Sequence, residues 1–266
     1  MARRTALRLA MKTGSSMPFN RLPARDPRTV ARDIPGVLDI LFPRLTGGLV
    51  KALNATMFSF AGISSIPSEV IEKSRLQKAM VFELSMARVE SELLRGPAAS
   101  WDECLKIASQ RQQRHFDARI PEKLEPSDIL VAEYASRNLV TMLKSVQAQR
   151  PSAILEHAPL IPGLGWIASG NGDFAIGSTL IEVKHTDRNF GAGDLRQVLM
   201  YWLLRYARTI ENGDEMWSDI LLLNPRRNAA LLINYDYLLR SASASSNRIE
   251  LVELLRSAVG QDFDRR

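Results

Sequence analysis

The hydrophobic period of this chain changes at Pro151. From Pro67 up to that proline, apolar residues return every three to four positions; beyond it, short apolar runs are separated by Gly, Asn and Pro. A chain that is helical in one stretch and strand-like in the next must bury a sheet against helices. The runs "AILEHAPLIPG", "GWIASGN", "DFAIG" and "TLIEVKHT" read as strands and turns. Asp194 then caps an amphipathic helix that reaches Asn212 and Gly213, and "SDILLLNPRRNAALLINYDYLL" reads as two strands around Asn224 to Asn228, leading into a short helix. Helices are also expected over 100–117 and over 127–149, the second capped by Ser127 and stopped by Pro151. The order from residue 100 is helix, helix, three strands, helix, two strands, helix, which is an α/β unit with a mixed sheet.

The first hundred residues read differently. Residues 18–48 are punctuated by prolines and the Gly47-Gly48 pair, so irregular chain with at most short helices is expected. "SEVIEKSRLQKAMVFELSMARVESELLRG" then reads as one helix from a Ser68 cap to Gly96, with its methionines as core filler. The expected division is a basic tail without regular structure over 1–25, a mostly helical N-terminal region over 26–99, and a core over 100–266.

Charge and cysteine usage narrow the function classes. The formal charge of the 266 residues is +6, and residues 1–25 carry six basic side chains and no acid, so the remaining chain is balanced. Such a tail suits phosphate, a membrane surface or a targeting role, and equally a plain solvated terminus. Cys104 is the single cysteine, which rules out an internal disulfide or a cysteine metal cluster and suggests a reducing, cytoplasmic setting. The longest uncharged segment, 52–68, contains Asn54, Pro67 and several Ser, so no membrane span is expected.

The chemistry gathers between 173 and 201. In a strand over 179–186, Glu182 and Lys184 share one face while Ile181 and Val183 share the other. If "DFAIG" pairs with "TLIEVKHT" through the Gly177-Ser178 turn, Asp173 returns to the neighbourhood of Glu182. Two close carboxylates are costly without a proton or cation between them, and Mg²⁺ or Mn²⁺ suits an all-oxygen site of this size. On the next helix Gln197, Tyr201 and Arg205 recur every four residues beside an apolar stripe, so Gln197 is a candidate to hold the attacking water or a phosphate, braced by Tyr201. Arg226 and Arg227, in the turn between the last two strands, could grip phosphate or form an ordinary polar turn. His157 and His185 have no partner at metal-ligand spacing.

Asp173, Glu182-Val183-Lys184 and the Gln197 to Tyr201 pair resemble the motif of the PD-(D/E)XK nuclease superfamily: an acid at one strand, Glu-X-Lys on the next, then a Gln-X-X-X-Tyr helix. Gly172 stands where the family has Pro. The resemblance covers roughly 127–240. It implies a restriction-endonuclease-like core with a mixed central sheet flanked by helices, here with an N-terminal, mostly helical extension. It also implies a divalent-metal-dependent nuclease acting on DNA more often than RNA. Asp173 and Glu182 would hold the metal, Lys184 would assist water attack, and Gln197 would position that water. The family often adds an acid from the preceding helix; Glu133 is the candidate and Glu156 its competitor. Tyr201, Arg205, Arg226 and Arg227 are the candidate nucleic-acid contacts. Rival readings are a surface salt bridge between Asp173 and Lys184, a catalytically silent module that binds nucleic acid or docks a protein partner through 26–99, and a tether working through the basic tail.

Overall fold

A computed structural model describes residues 24–33, 35–113, 117–213, 215–244 and 247–264. The tail expected over 1–25 therefore lies outside the described residues, apart from Ala24 and Arg25. The helices are α1 (Pro27–Asp33), α2 (Pro35–Leu41), α3 (Gly47–Asn54), α4 (Ser68–Lys73), α5 (Lys78–Leu94), α6 (Trp101–Gln112), α7 (Pro126–Ala148), α8 (Ala192–Asn212), α9 (Tyr235–Ala242) and α10 (Arg248–Asp264). The strands are β1 (Leu155–His157), β2 (Leu160–Ile161), β3 (Gly170–Asn171), β4 (Phe174–Ile176), β5 (Thr179–Val183), β6 (Asp219–Asn224) and β7 (Ala229–Asn234). No described helix is long and apolar enough to cross a membrane.

Five strands form one mixed sheet in the order β1-β4-β5-β6-β7, and β2 and β3 pair as a separate ribbon. β4 and β5 are antiparallel, with Phe174 opposite Ile181 and Ile176 opposite Thr179; Gly177, at φ 56°, supplies the left-handed residue their turn requires. β5 and β6 run parallel, so the chain must cross over between them, and α8 is that crossover. β5 is buried along its whole length. One sheet face presents Phe174, Ile181, Val183, Leu221 and Leu223 to α7 and α5, through Leu139, Met142, Leu143, Met86 and Val89. The other presents Leu180, Ile220, Leu222 and Leu231 to the core that contains α8. Val30 of α1, Leu38 of α2 and Leu251 of α10 belong to that second core, so α8 is buried over most of its circumference.

The N-terminal region over 26–99 is not a separate layer. α1 packs on α8, α5 packs on α6 and α7, and Phe58 pairs with Ala230 through two backbone hydrogen bonds, covering the β7 edge. The single helix expected over 68–96 is broken. Ser74 takes an extended ψ of 137° because its Oγ and the Arg75 N–H both donate to Asp128 Oδ1, at 2.7 and 3.2 Å. A tertiary contact thus overrides helix propensity. Asp128 also accepts from Glu125 N, which places the α7 cap at Glu125 rather than Ser127. Asp194 is likewise inside α8, three residues past Gly191, whose N–H it accepts at 2.8 Å.

Leu143 is fully buried between α7 and the sheet. Leu143→Ala should lower unfolding free energy by about 2–5 kcal/mol in guanidinium titration, with little change in slope.

Candidate functional site

The register that sets Phe174 opposite Ile181 continues one step, so Asp173 lies beside Glu182 on the α8 side of the sheet. Asp173 Oδ2 accepts the Val183 N–H at 2.7 Å, which fixes its carboxylate across the two strands. Glu182 is fully buried, and its Oε1 is the centre of the site. That oxygen accepts from Lys184 Nζ at 3.0 Å, from Gln197 Nε2 at 2.5 Å and from Arg28 Nη2 at 3.3 Å. The same guanidinium reaches Asp173 Oδ1 at 3.6 Å. Gln197 Oε1 accepts from Lys184 Nζ at 2.8 Å, and its Nε2 also donates to Tyr201 Oη at 2.8 Å. Three elements, α1, the end of β5 and α8, therefore converge on one carboxylate oxygen. Glu182 Oε2 is buried with no partner among the described residues.

The electrostatics follow from burial. Desolvation, reinforced by the Glu182 charge, pushes Asp173 up to about 7 against the opposing pull of Arg28 and Lys184. The Glu182 carboxylate holds Arg28 firmly charged, above its ordinary value. Burial raises Tyr201, which stays a neutral phenol. The pocket thus contains two carboxyl groups and two cations, and the charge between the carboxyls is supplied by the protein itself.

The sequence-predicted residues divide accordingly. Asp173, Glu182, Lys184 and Gln197 come together. Gln197 does not have a free amide to orient a water: it is fully buried and both ends are committed to protein partners, so it positions Lys184 and Glu182. Tyr201 is buried too, which removes it as a nucleic-acid contact. Arg205 lies over the Trp217 ring at 4.1 Å and donates to Glu215 O, a turn of α8 beyond the site. Arg226 and Arg227 brace the loop after β5, through Asp187 at 3.9 Å and Asn189 Oδ1 at 2.7 Å. Glu133 is not a ligand here. It is exposed on α7, and α7 covers the opposite face of the sheet. Glu156 sits opposite Ala175, sharing the Asp173 face, but it is exposed and no hydrogen bond or ion pair links it to the carboxyl pair. Among the described residues no group of three or more His, Cys, Asp or Glu is placed to hold a metal.

Arg28 was absent from the sequence-derived site. It follows Pro27 in the first turn of α1, where Asp26 caps the helix by accepting from the Thr29 N–H and hydroxyl. Its contact with Glu182 spans 154 positions, and no motif at that distance marks it. Gly172 has a local explanation. Its N–H donates to Pro159 O at 2.9 Å, and a Cβ there would meet Leu180 at 3.1 Å and Pro159 at 3.2 Å. No protein-family model and no curated protein matches the chain.

Two outcomes follow. Gly172→Pro should destabilise by about 1–3 kcal/mol in thermal or chemical unfolding, since it leaves the Pro159 carbonyl without its donor. Asp173 titrates near 7 folded against an ordinary 3.8, so the native state holds the extra proton and stability from this group falls as pH rises from about 4 to about 7. His185, held down to about 4 by burial, acts in the opposite sense between 4 and 6.5. The stability of Asp173→Asn relative to wild type, measured in EDTA, should therefore climb across pH 4–7 and level off above it; a constant difference would contradict the assignment.

Proposed function

We propose that the protein is a divalent-metal-dependent phosphodiesterase acting on nucleic acid, DNA more than RNA. The observation that carries this reading is the convergence of Asp173, Glu182, Lys184 and Gln197, which the strand-turn-strand-helix order brings together around Glu182. The residues fit an ion. Glu182 Oε2 is a buried acceptor without a donor, and Asp173 Oδ1 has only a long ion pair to Arg28, so each offers one oxygen. Mg²⁺ is commonly held by one or two carboxylates with waters completing its shell. Bound there, Mg²⁺ or Mn²⁺ would polarise a phosphoryl oxygen and lower the pKa of a water.

The chain's own residues do the rest. Lys184, 12% exposed, reaches an open cavity while Gln197 holds its ammonium beside Glu182. From there it can neutralise charge developing on a phosphate as a compact cation. Gln197 and Tyr201 lock the Glu182 and Lys184 geometry through buried hydrogen bonds. Arg28, between the two carboxyls, must move its guanidinium if a divalent ion takes that position.

The same arginine favours a second reading. A guanidinium that already neutralises the carboxyl pair suits a catalytically silent module that uses this fold to bind nucleic acid or a protein partner. Metal binding separates the two. For a nuclease, calorimetry should detect Mn²⁺ binding that is lost in Glu182→Gln, a change that keeps an acceptor at Oε1. Arg28→Ala should tighten it by on the order of tenfold, roughly 1.4 kcal/mol. Purified protein should cut DNA with Mg²⁺, and Lys184→Ala should slow cutting by at least about 100-fold while leaving unfolding cooperative. Wild-type protein that neither binds Mn²⁺ nor cuts DNA or RNA would leave the silent module.

A further inference from the structure

A cavity of about 420 Å³ opens at the C-terminal end of β5, walled by α1, α5 and the start of α8. Among the described residues five cations line it: Arg28 and Arg32 from α1, Lys78 from α5, and Lys184 and Arg188 from the chain leaving β5. Two described acids, Glu83 and Asp194, line it with them. Arg28, Lys184 and Arg188 are committed to Asp173, Glu182 and Asp194. Lys78 pairs with Asp187 at 2.9 Å, but both side chains are more than half exposed, a pairing that exchanges readily for a stronger anion. Arg32 forms no ion pair among the described residues.

His185 sets this cavity apart from an ordinary basic surface. It lines the cavity, both its ring nitrogens are shielded from solvent, and neither has a hydrogen-bond partner among the described residues. A neutral imidazole carries one N–H donor and one acceptor, and leaving both unmet is costly. Water reaches neither nitrogen, so a ligand oxygen would meet the donor once the ring turns toward the cavity that it lines.

We propose that this cavity is a subsite for a phosphate group of a nucleic-acid strand, held by Arg32 and Lys78 and, with its ring turned toward the cavity, by the His185 N–H. Phosphate supplies several acceptor oxygens and a negative charge, which matches Arg32 and Lys78 and a donor that has no partner among the described residues. The identity of the strand rests on the nuclease reading; the anion chemistry does not. Arg32 and Lys78 lie outside 127–240, so this chain's N-terminal helices supply both cations, while His185 comes from the segment that carries the nuclease resemblance. Positioned next to Lys184, it would hold a phosphate adjoining the one at the carboxyl pair.

The test uses the full chain in EDTA, labelled with ¹⁵N-histidine, with the His185 ring signals assigned from His185→Gln. Inorganic phosphate, then short single-stranded DNA with either a 5′-phosphate or a 5′-hydroxyl, is titrated in. The His185 signals should shift with each ligand that occupies the cavity. Arg32→Ala, a change at an exposed side chain, should weaken phosphate and DNA binding about tenfold, the scale of one charge-assisted hydrogen bond, and Lys78→Ala should weaken it similarly. Preference for the 5′-phosphate assigns a strand end to the cavity; equal binding of both oligonucleotides assigns an internal phosphate. His185 signals that stay fixed at saturating ligand, or binding unchanged in both variants, overturns the subsite. If His185 responds as expected while Mg²⁺-dependent cleavage is absent, the subsite stands and the nuclease reading falls; cleavage without a His185 response gives the reverse.

Discussion

One oxygen, Glu182 Oε1, holds the centre of this molecule together. It is buried under two helices and accepts from an ammonium, a guanidinium and a carboxamide delivered by three different elements. A buried carboxylate is tolerable only when it is paired and hydrogen-bonded. Removing one partner of such a pair typically costs roughly 3–5 kcal/mol, because the remaining charge is left without compensation. The network therefore fixes the position of α1 over α8 and of α8 over β5, at an oxygen that apolar packing alone would not specify.

The fold explains how these donors arrive. The tight β4–β5 turn brings Asp173 beside Glu182, and the parallel β5–β6 pairing forces the chain to cross over the sheet between them. α8 makes that crossing, and Gln197 and Tyr201, one turn apart, face down onto Glu182. Covering α8 with α1 turns what would be a solvent-facing polar row into an internal one. The N-terminal helices are thus part of the site: α1 contributes Arg28, and Val30 and Ala31 anchor it in the core that contains α8.

How much of this could be read from the sequence depended on distance along the chain. The hairpin, the shared face of Glu182 and Lys184 and the four-residue spacing of Gln197 and Tyr201 are local, and strand and helix periods reveal them directly. What covers a helix face is not local. Gln197 was expected to hold a water or phosphate and Tyr201 to reach nucleic acid because the sequence does not show that residues 27–33 pack over them. Glu133 failed for a related reason, since an acid on an amphipathic helix is compatible with either face of a sheet until the packing of that helix is known. The break at Ser74 arose from Asp128, 54 residues away, whose carboxylate draws two donors out of an intact helix. The misplaced site residues and the break at Ser74 came from long-range contacts. α10 and the β2–β3 ribbon lay outside the expected order, in which three strands preceded the crossover helix and one short helix closed the chain; the other elements defined by their own period were found with boundaries shifted by a few residues.

Charge arithmetic links the carboxyl pair to its surroundings. With Asp173 ionised, the pair carries two negative charges, and Arg28 and Lys184 balance them. In the proposed function, a divalent ion entering that space would leave the pocket with two excess positive charges. Two responses move the pocket toward balance: Arg28 withdraws, and an anionic phosphate arrives. Withdrawal alone offsets half of the excess, so full balance needs the phosphate as well. Asp173 adds a further condition, because with a pKa near 7 it is partly protonated at neutral pH and must lose that proton before it can serve as a ligand. Ion binding, proton release and phosphate binding would then reinforce one another, and an ion without substrate would be held weakly. Arg28 lines both the carboxyl pocket and the adjoining cavity, so a guanidinium displaced from Glu182 has an anionic phosphate within the same cavity to turn to.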